Sequence, residues 1–237
     1  MVNDPGVPTR FVQGTEDARR VERELASVHT LARSEVTLRG QRHELVRPAD
    51  PEALISEDDF AMDERLPYWA DLWPSATVLA DHLGQMTGDG RKLLELGCGL
   101  GLVAAAAAGA GFDVMATDYY TDALPFAALN AWRISRKGIT TRHLDWRALP
   151  GDLGTFDMVV ASDVLYEREY ASLVASVFAR TLAPTGTGWV ADPRRIALGA
   201  FVDECRTLGL TVRQEAELSF EEGAQRQRIV LYSIRHG

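Results

Sequence analysis

The chain has 237 residues, which suits one well-filled domain with an extension, and its 46% hydrophobic and 25% charged residues are ordinary for a globular protein. Its net charge of −9 argues against a general nucleic-acid binder, because such proteins gain affinity from many Lys and Arg contacts to phosphate. No apolar run approaches the roughly 18 to 20 residues that a membrane-spanning helix needs, and the two cysteines and five histidines show no spacing typical of a metal site. We therefore expect a cytoplasmic protein with no metal, no nucleic-acid partner and no membrane partner.

The first part of the chain predicts a small extension before the main fold. Residues Met1–Arg10 hold two prolines and no apolar core, so we expect a disordered tip. Apolar residues at helical spacing predict a helix from Gly14 to about Ala32. Residues 35–48 then read as two short strands around a turn at Gly40.

An aromatic segment leads into the next predicted helix. Tyr68, Trp69 and Trp73 fall within six residues, and Pro74 then opens a helix that runs to about Met86. Two interpretations of the tryptophans stay open. They form either a hydrophobic plug under the extension or a wall of a cofactor or substrate pocket, because this helix directly precedes the glycine-rich strand.

A glycine-rich turn marks a cofactor-binding corner. An apolar strand at Leu93–Leu96 is followed by Gly97, Gly99 and Gly101, and then by an alanine-rich helical stretch from Leu102. Glycines allow positive φ and close approach of a ligand, and the N–H groups of the following helix face the turn. The dinucleotide fingerprint needs its third glycine one position later, where this chain has leucine, so the pattern excludes that fingerprint.

A second acid follows at a spacing typical of a ribose contact. The buried strand Phe112–Asp118 ends in a carboxylate, and doubly wound folds place such a carboxylate on the ribose hydroxyls of a cofactor. The alternative is that Asp118 only caps the next helix. We expect Thr121 to be that cap, with Pro125 in the first helical turn, which leaves Asp118 free for a ligand.

The remainder of the chain alternates strands and helices. Further strands are predicted at residues 140–146, 158–161, 186–193, 210–218 and 227–235, with helices at 167–182 and 196–208. Asp163 and Tyr166 follow the strand at 158–161, and open α/β sheets bind ligands at such strand ends. In isolation these two residues can equally be a helix N-cap and a buried aromatic.

Taken together, these stretches give the chain a resemblance to a known family. It resembles the class I S-adenosylmethionine (SAM) dependent methyltransferases, and within them the seven-β-strand lysine-methyltransferase-like group. The resemblance covers about Glu35 to the C-terminus and rests on residues 67–69, 72–75, 95–101, 118, 144–146 and 163–166. It implies an α/β fold: a Rossmann-like sheet with helices on both faces, after a small helix and hairpin extension. We place the extension at residues 1–66 and the SAM-binding domain at residues 67–237.

The resemblance also implies a role for individual residues. The implied cofactor site comprises Trp69 and Trp73 at its border, Glu95, Gly97, Gly99 and Gly101 on the methionine part, Asp118 on the ribose, Asp145 and Trp146 at the adenine, and Ser162. Asp163 and Tyr166 would face the reacting methyl group and the acceptor. The implied acceptor is an exposed lysine of a protein, and S-adenosyl-L-homocysteine (SAH) is the product. N-methylation of a small amine or heterocycle, and a non-catalytic module that serves interaction, remain alternatives.

The residue types fit that chemistry independently of the resemblance. In-line displacement at a sulfonium needs no acid for the leaving group, so an enzyme mainly supplies alignment. Lysine must attack as the neutral amine, although its free pKa is about 10.4. A water-poor aromatic pocket favours the neutral form, and a carboxylate such as Asp163 can orient the nitrogen. No histidine is proposed as catalytic.

Overall fold

The computed structural model describes residues 6–51, 54, 68–222 and 225–237. In chain order its helices and strands are α1 (Thr15–Val28), β1 (Leu31–Leu38), β2 (Gln41–Pro48), α2 (Pro74–Gly84), β3 (Lys92–Leu96), α3 (Leu102–Gly109), β4 (Asp113–Asp118), α4 (Ala123–Ser135), β5 (Thr140–His143), β6 (Phe156–Ser162), α5 (Tyr170–Thr181), β7 (Leu182–Asp192), α6 (Leu198–Thr207), β8 (Leu210–Glu222) and β9 (Gln225–His236). A short 3₁₀ turn at Tyr68–Ala70 precedes α2. No helix in these ranges has both the length and the apolar character needed to cross a bilayer.

The main sheet has seven strands in the order β5-β4-β3-β6-β7-β9-β8. Strands β3 to β7 are parallel, and β9 and β8 close the sheet as an antiparallel pair. Helices α2, α3 and α4 pack on one face of the sheet and α5 and α6 on the other. The α/β fold class predicted from the sequence is confirmed. The chain reverses its direction of travel across the sheet between β3 and β6, and α/β sheets bind their ligands at such a switch point.

The N-terminal helix and hairpin pack against the back of the same site. Helix α1 buries Ala18, Val21 and Leu25 against residues of α4. Asn130, buried on α4, accepts a hydrogen bond from the N–H of Val46 on β2 at 2.8 Å and donates to the carbonyl oxygens of Val46 and Leu100, both at 2.9 Å. Since Leu100 belongs to the glycine turn, this one amide joins the hairpin to the backbone of the turn.

The segment before α1 lies along the edge of the sheet. Thr9 exchanges two backbone hydrogen bonds with Thr141 on the edge strand β5, at 2.8 and 2.7 Å, and Arg10 donates to the hydroxyl of Thr140 at 3.0 Å. The prediction of a disordered tip over Met1–Arg10 is therefore wrong for Thr9 and Arg10, because an edge strand offers unpaired backbone groups to such a segment. Residues 1–5 and the expected boundary between residues 66 and 67 fall outside the described ranges.

Several element boundaries differ from those predicted. Strand β7 follows α5 directly and begins at Leu182 rather than residue 186, and its pairing with β6 contains an irregularity next to Phe156. Helix α5 begins at Tyr170 rather than residue 167. Strand β5 ends at His143, so Asp145 and Trp146 lie in the turn after it. Backbone hydrogen bonds set the ends of strands and helices. The change from apolar to polar residues in the sequence does not show where those hydrogen bonds stop.

Substitution of Gly101 tests how closely α3 packs against α4. Gly101 has φ of +79°, and a Cβ there would lie 2.5 Å from the Cα of Ala127 on α4. Gly90 has φ of +74°, and a Cβ there would meet nothing within 4 Å. We expect Gly90→Ala to lower the free energy of unfolding by about 1–2 kcal/mol through backbone strain alone. We expect Gly101→Ala to lower it by about 1–3 kcal/mol more through overpacking, as measured by urea unfolding. Equal losses of unfolding free energy in the two variants would show that α3 and α4 can move apart without cost.

Candidate functional site

An open cleft lies at the carboxyl ends of β3, β4 and β6. The predicted site residues on its wall are Trp69, Trp73, Gly97, Gly99, Gly101, Asp118, Asp145, Trp146, Ser162, Asp163 and Tyr166. They come from five stretches of the chain. Four of these lie at the carboxyl ends of β3, β4, β5 and β6, which the parallel sheet brings to one edge, and the fifth precedes α2.

The glycine turn forms the floor of the cleft. Gly99 has φ of +47°, and a Cβ there would lie 3.0 Å from the carbonyl oxygen of Trp69. The turn is fixed by backbone hydrogen bonds from Cys98 to Thr117 at 2.9 Å and from Gly101 to Cys98 at 2.8 Å. A ligand can therefore approach the backbone of a preformed turn that has no side chain to displace at its glycines.

Asp118, at the end of β4, holds this turn in place. It is 6% exposed, and its carboxylate accepts hydrogen bonds from the N–H of Gly99 at 2.9 Å and of Tyr120 at 3.0 Å. Burial raises the pKa of Asp118 to about 6, although these backbone donors oppose the rise. The expectation that Thr121 caps the next helix is wrong, whereas each oxygen of Asp118 accepts one of these backbone bonds and keeps a lone pair for a ligand. Helix α4 begins after Asp122 with no side-chain cap. Asp118 instead accepts the N–H of Gly99 in the glycine turn and of Tyr120 in the loop before α4.

Glu95, which the sequence places on the cofactor, does not line the cleft. It is 2% exposed within β3, its carboxylate accepts the N–H of Ala104 on α3, and its Oε2 has no partner among the described residues. Burial, and then the nearby Asp118, raise the pKa of Glu95 well above its usual value. Since Glu95 lies inside the strand rather than after its end, its side chain faces the helix that covers the sheet.

The turn after β5 forms one side wall of the cleft. Asp145 accepts a hydrogen bond from the N–H of Arg147 at 2.9 Å, which fixes the turn that carries Trp146. The ring of Trp146 meets that of Tyr170 edge to face at 5.6 Å. An aromatic ring held in this way offers a flat apolar surface for a planar base.

Both open interpretations of the two tryptophans hold in part. Trp69 is 7% exposed, packs against Phe126 at 5.6 Å in the cluster beneath α1, and also lines the cleft. Trp73 is half-buried on the cleft wall, and its indole N–H donates to the carbonyl oxygen of Tyr68 at 2.8 Å. Trp69 is thus both plug and wall, whereas Trp73 belongs to the wall.

Asp163 carries the most constrained carboxylate of the opposite wall. Its backbone is left-handed with φ of +58°, and its side chain is 3% exposed. Oδ1 accepts from Nε of Arg195 at 2.6 Å, and Oδ2 accepts from the hydroxyl of Ser75 at 3.1 Å. The residue at the cap position of α5 is Glu169, so Asp163 is not the cap of that helix. A non-glycine residue in this conformation is rare and clusters at functional sites.

Sequence reasoning missed Arg195 and Ser75. The sequence carried a signal for each. Arg195 follows Asp192 at the carboxyl end of β7, which is the same edge of the sheet as the end of β6. Ser75 lies in the first turn of α2, directly after the aromatic segment.

Tyr166 belongs to an aromatic group beside Asp163. Its ring lies 5.3 Å from that of Tyr68 and 5.0 Å from that of Tyr170, and Tyr68 lies 5.8 Å from Trp73. Burial, and then the neighbouring Tyr170, raise the pKa of Tyr166, so its phenol stays protonated and is not a base. The site therefore combines a paired carboxylate with a mostly apolar aromatic wall.

The thiols and potential metal ligands offer no other chemistry. Cys98 and Cys205 are buried free thiols, and burial raises the pKa of both. Neither thiol is therefore ionised at neutral pH. Within the described ranges, no group of three or more His, Cys, Asp and Glu residues could hold a metal ion.

The residues present fit SAM. Gly97, Gly99 and Gly101 present backbone without side chains on the cleft wall, Asp118 is an acceptor suited to a vicinal diol, and Trp146 offers a surface for a base. All of these residues line one cleft.

Comparisons with known proteins agree with that fit. A family model described as lysine methyltransferase matches residues 64–197, which is more than half of the chain. The chain is 32% identical over 136 residues to the electron transfer flavoprotein beta subunit lysine methyltransferase of Xenopus laevis, covering 54% of this chain and 53% of that protein. It is 28% identical over 180 residues to EEF1A lysine methyltransferase 3 of Mus musculus, covering 73% of this chain and 74% of that protein. The chain thus spans about half the length of the first relative.

A solved structure shares the fold. The magnesium protoporphyrin IX methyltransferase of Synechocystis PCC 6803, solved with bound SAH, superimposes with a TM-score of 0.52 at 17% identity. The match covers 68% of this chain and 83% of that chain. At this identity the similarity concerns the fold alone.

Proposed function

Because the chain belongs to the lysine methyltransferase family, we propose that it transfers a methyl group from SAM to the ε-amine of a lysine in a protein. The observation that carries this proposal is the buried, paired Asp163 beside aromatic rings, on the wall of the same cleft as the glycine turn. A hydrogen-bond acceptor beside apolar rings supports this proposal, because it can orient the nitrogen of a lysine side chain that enters the cleft.

We assign the cofactor side to residues on the floor and one wall of the cleft. Gly97, Gly99 and Gly101 hold the methionine part, Asp118 the ribose, and Asp145 and Trp146 the adenine, with Trp69, Trp73 and Ser162 at the border. Glu95 supports α3 from beneath instead of contacting the cofactor. When bound, SAM supplies a methyl group on a positively charged sulfur, and the electron pair of the breaking carbon–sulfur bond stays on that sulfur.

The acceptor side orients the amine and keeps water away from it. Asp163 retains lone pairs on both oxygens after binding Arg195 and Ser75, so it can accept a hydrogen bond from the attacking nitrogen. Tyr68, Trp73 and Tyr166 form the aromatic wall of the channel. Alignment and exclusion of water, rather than a general base, are the contributions we assign to these residues.

A protein acceptor is favoured over a small amine by the relatives. The names of the two curated relatives described above specify a protein, the electron transfer flavoprotein beta subunit and EEF1A, as the molecule methylated. We further propose a cytoplasmic location, since two buried free thiols suit a reducing compartment.

The test of this proposal is incubation of the purified protein with SAM carrying a tritiated methyl group and a cell lysate as the acceptor source. We expect label in the protein fraction, concentrated in one or a few bands and absent with Asp163→Ala. Label confined to small molecules would favour methylation of an amine metabolite and contradict a protein acceptor. No transfer to either fraction, with SAM binding intact, would support a non-catalytic module.

A further inference from the structure

The carboxylate of Asp163 is already neutralised by the protein. Arg195 Nε donates to Oδ1 at 2.6 Å, and the Asp163 side chain is 3% exposed, so water screens this pair little. The second oxygen receives the hydroxyl of the fully buried Ser75. A cation entering the cleft beside Asp163 therefore meets a carboxylate that is already paired with a guanidinium.

Arg195 is held in place by its own neighbours. The turn that carries it is fixed by Asp192, which is fully buried and accepts the backbone N–H of Arg195 at 2.6 Å. The guanidinium lies 5.4 Å from the ring centroid of Trp73, which is within the range of a cation–π contact. Arg195 thus contacts both the carboxylate of Asp163 and the aromatic wall, while its side chain remains 32% exposed.

Other charged or titratable groups surround the pair formed by Asp163 and Arg195. The cleft wall also carries the charged side chains of Asp71, Asp145 and Arg147. The neighbouring groups whose pKa is shifted are Asp192 at the end of β7, Arg194 with its partner Glu217 on β8, Tyr232 on β9, and Tyr166 and Asp118 in the cleft. Burial raises the pKa of both Asp192 and Asp118 to about 6, and it raises the pKa of both tyrosines. At pH 7 and above the carboxyls are therefore ionised and the phenols neutral.

We propose that Arg195 is a positioning residue that balances the charge of Asp163, so that the acceptor nitrogen is received as the neutral amine. This inference rests on the proposed function and adds a reason for the lysine to lose its proton on binding. An unpaired Asp163 would instead hold a lysine as the ammonium, which has no lone pair with which to attack. The proton goes to solvent before transfer, and Asp163 then accepts an N–H of the neutral nitrogen.

The expected size of the effect follows from the charges. An opposite charge within about 4–6 Å of an ionisable group changes its protonation equilibrium by roughly ten- to a thousand-fold. Removing the guanidinium leaves one such carboxylate unbalanced beside the acceptor position. The protonation equilibrium of the bound amine should then shift toward the ammonium by about tenfold or more, relative to the native site.

Sinefungin provides a probe that needs no identified acceptor. This SAM analogue carries a primary amine in place of the methylsulfonium, whereas SAH has a neutral thioether at that position and is otherwise matched. The ratio of their affinities, measured by calorimetry, reports how the site treats an amine at the position of the transferred methyl group, next to the acceptor nitrogen. Between about pH 7 and about pH 9.5, where a free alkyl amine begins to lose its proton, we expect the wild-type protein to bind sinefungin increasingly well relative to SAH.

The variants separate charge from shape. We expect Arg195→Met to raise the sinefungin affinity relative to SAH about tenfold at pH 7 and to remove its rise with pH. Arg195→Lys keeps the charge and should resemble the wild type. Arg194→Met is the matched control, because Arg194 pairs with Glu217 away from the cleft wall.

The outcomes distinguish this inference from the proposed function. A wild-type ratio that stays constant or falls with increasing pH would overturn the role of Arg195 without any variant. Equal ratios for Arg195→Met and Arg194→Met would also overturn it. Failure of the wild-type protein to bind SAH would instead contradict the cofactor site and hence the proposed function.

Discussion

Replacing Asp118 with alanine is expected to lower the affinity for SAH about 100-fold or more. The variant removes the acceptor that we assign to the ribose hydroxyls, and it also releases the N–H groups of Gly99 and Tyr120 that order the glycine turn. A hydrogen bond to a charged group contributes about 1.5–3 kcal/mol, and a 100-fold change corresponds to about 2.7 kcal/mol. Isothermal titration calorimetry measures the change directly.

Asp113→Ala is the matched control for this experiment. Asp113 begins the same strand β4, at the end away from the cleft, and is half-exposed beside Arg10 at 3.3 Å. We expect this variant to bind SAH like the wild type. Similar SAH affinities for Asp118→Ala and Asp113→Ala, in proteins that melt alike, would show that the ribose assignment is wrong.

The raised pKa of Asp118 predicts that SAH binding depends on pH. Because burial raises that pKa to about 6, the carboxyl is protonated in a growing fraction of the free protein as the pH falls below about 6. The hydroxyls of a ribose need the ionised form as their acceptor, so affinity is full above this pH and declines below it. Asp118→Asn should remove the dependence, and a wild-type affinity that is constant between pH 5 and 7.5 would contradict it.

Asp163→Ala is expected to reduce turnover about 100-fold or more while SAH affinity stays close to that of the wild type. The variant removes the acceptor that orients the attacking nitrogen and leaves the guanidinium of Arg195 and the hydroxyl of Ser75 without their common partner. The glycine turn and Asp118 make none of these contacts. Initial rates of label transfer from SAM and calorimetry with SAH separate the two effects.

Asp157→Ala controls for general damage to strand β6. Asp157 lies at the opposite end of this strand from Asp163, where its carboxylate accepts the N–H of Lys92 at 2.9 Å. Turnover should survive in this variant. Retention of turnover in Asp163→Ala as well would remove Asp163 from the acceptor side.

The cofactor half of the cleft could be predicted from the sequence because its signals are local. Gly99 and Gly101 need positive φ within a short turn, and Asp118 ends a buried strand. The parallel order of the sheet then brings the ends of β3, β4 and β6 together without further information. Asp163 and Asp118 therefore meet at one cleft for a topological reason.

The partners of the acidic side chains depend on long-range packing and could not be predicted in the same way. Arg195 and Ser75 reach Asp163 from 32 and 88 positions away in the chain. The left-handed backbone conformation at Asp163 could not be predicted either, because the residue is not a glycine. The burial of Glu95 beneath α3 could not be predicted, because a motif gives its distance from the glycines but not the face of the strand on which its carboxylate ends.

The most direct test of the central claim is to locate the transferred methyl group on its acceptor. The labelled protein is isolated after reaction with SAM whose methyl group is deuterated, and its peptides are analysed by tandem mass spectrometry, with the Asp163→Ala reaction as background. Deuterated methyl groups on the ε-nitrogen of a specific lysine are the predicted result. Deuterated methyl groups on another side chain, or only on a small molecule, would contradict the assignment of this protein as a protein-lysine methyltransferase.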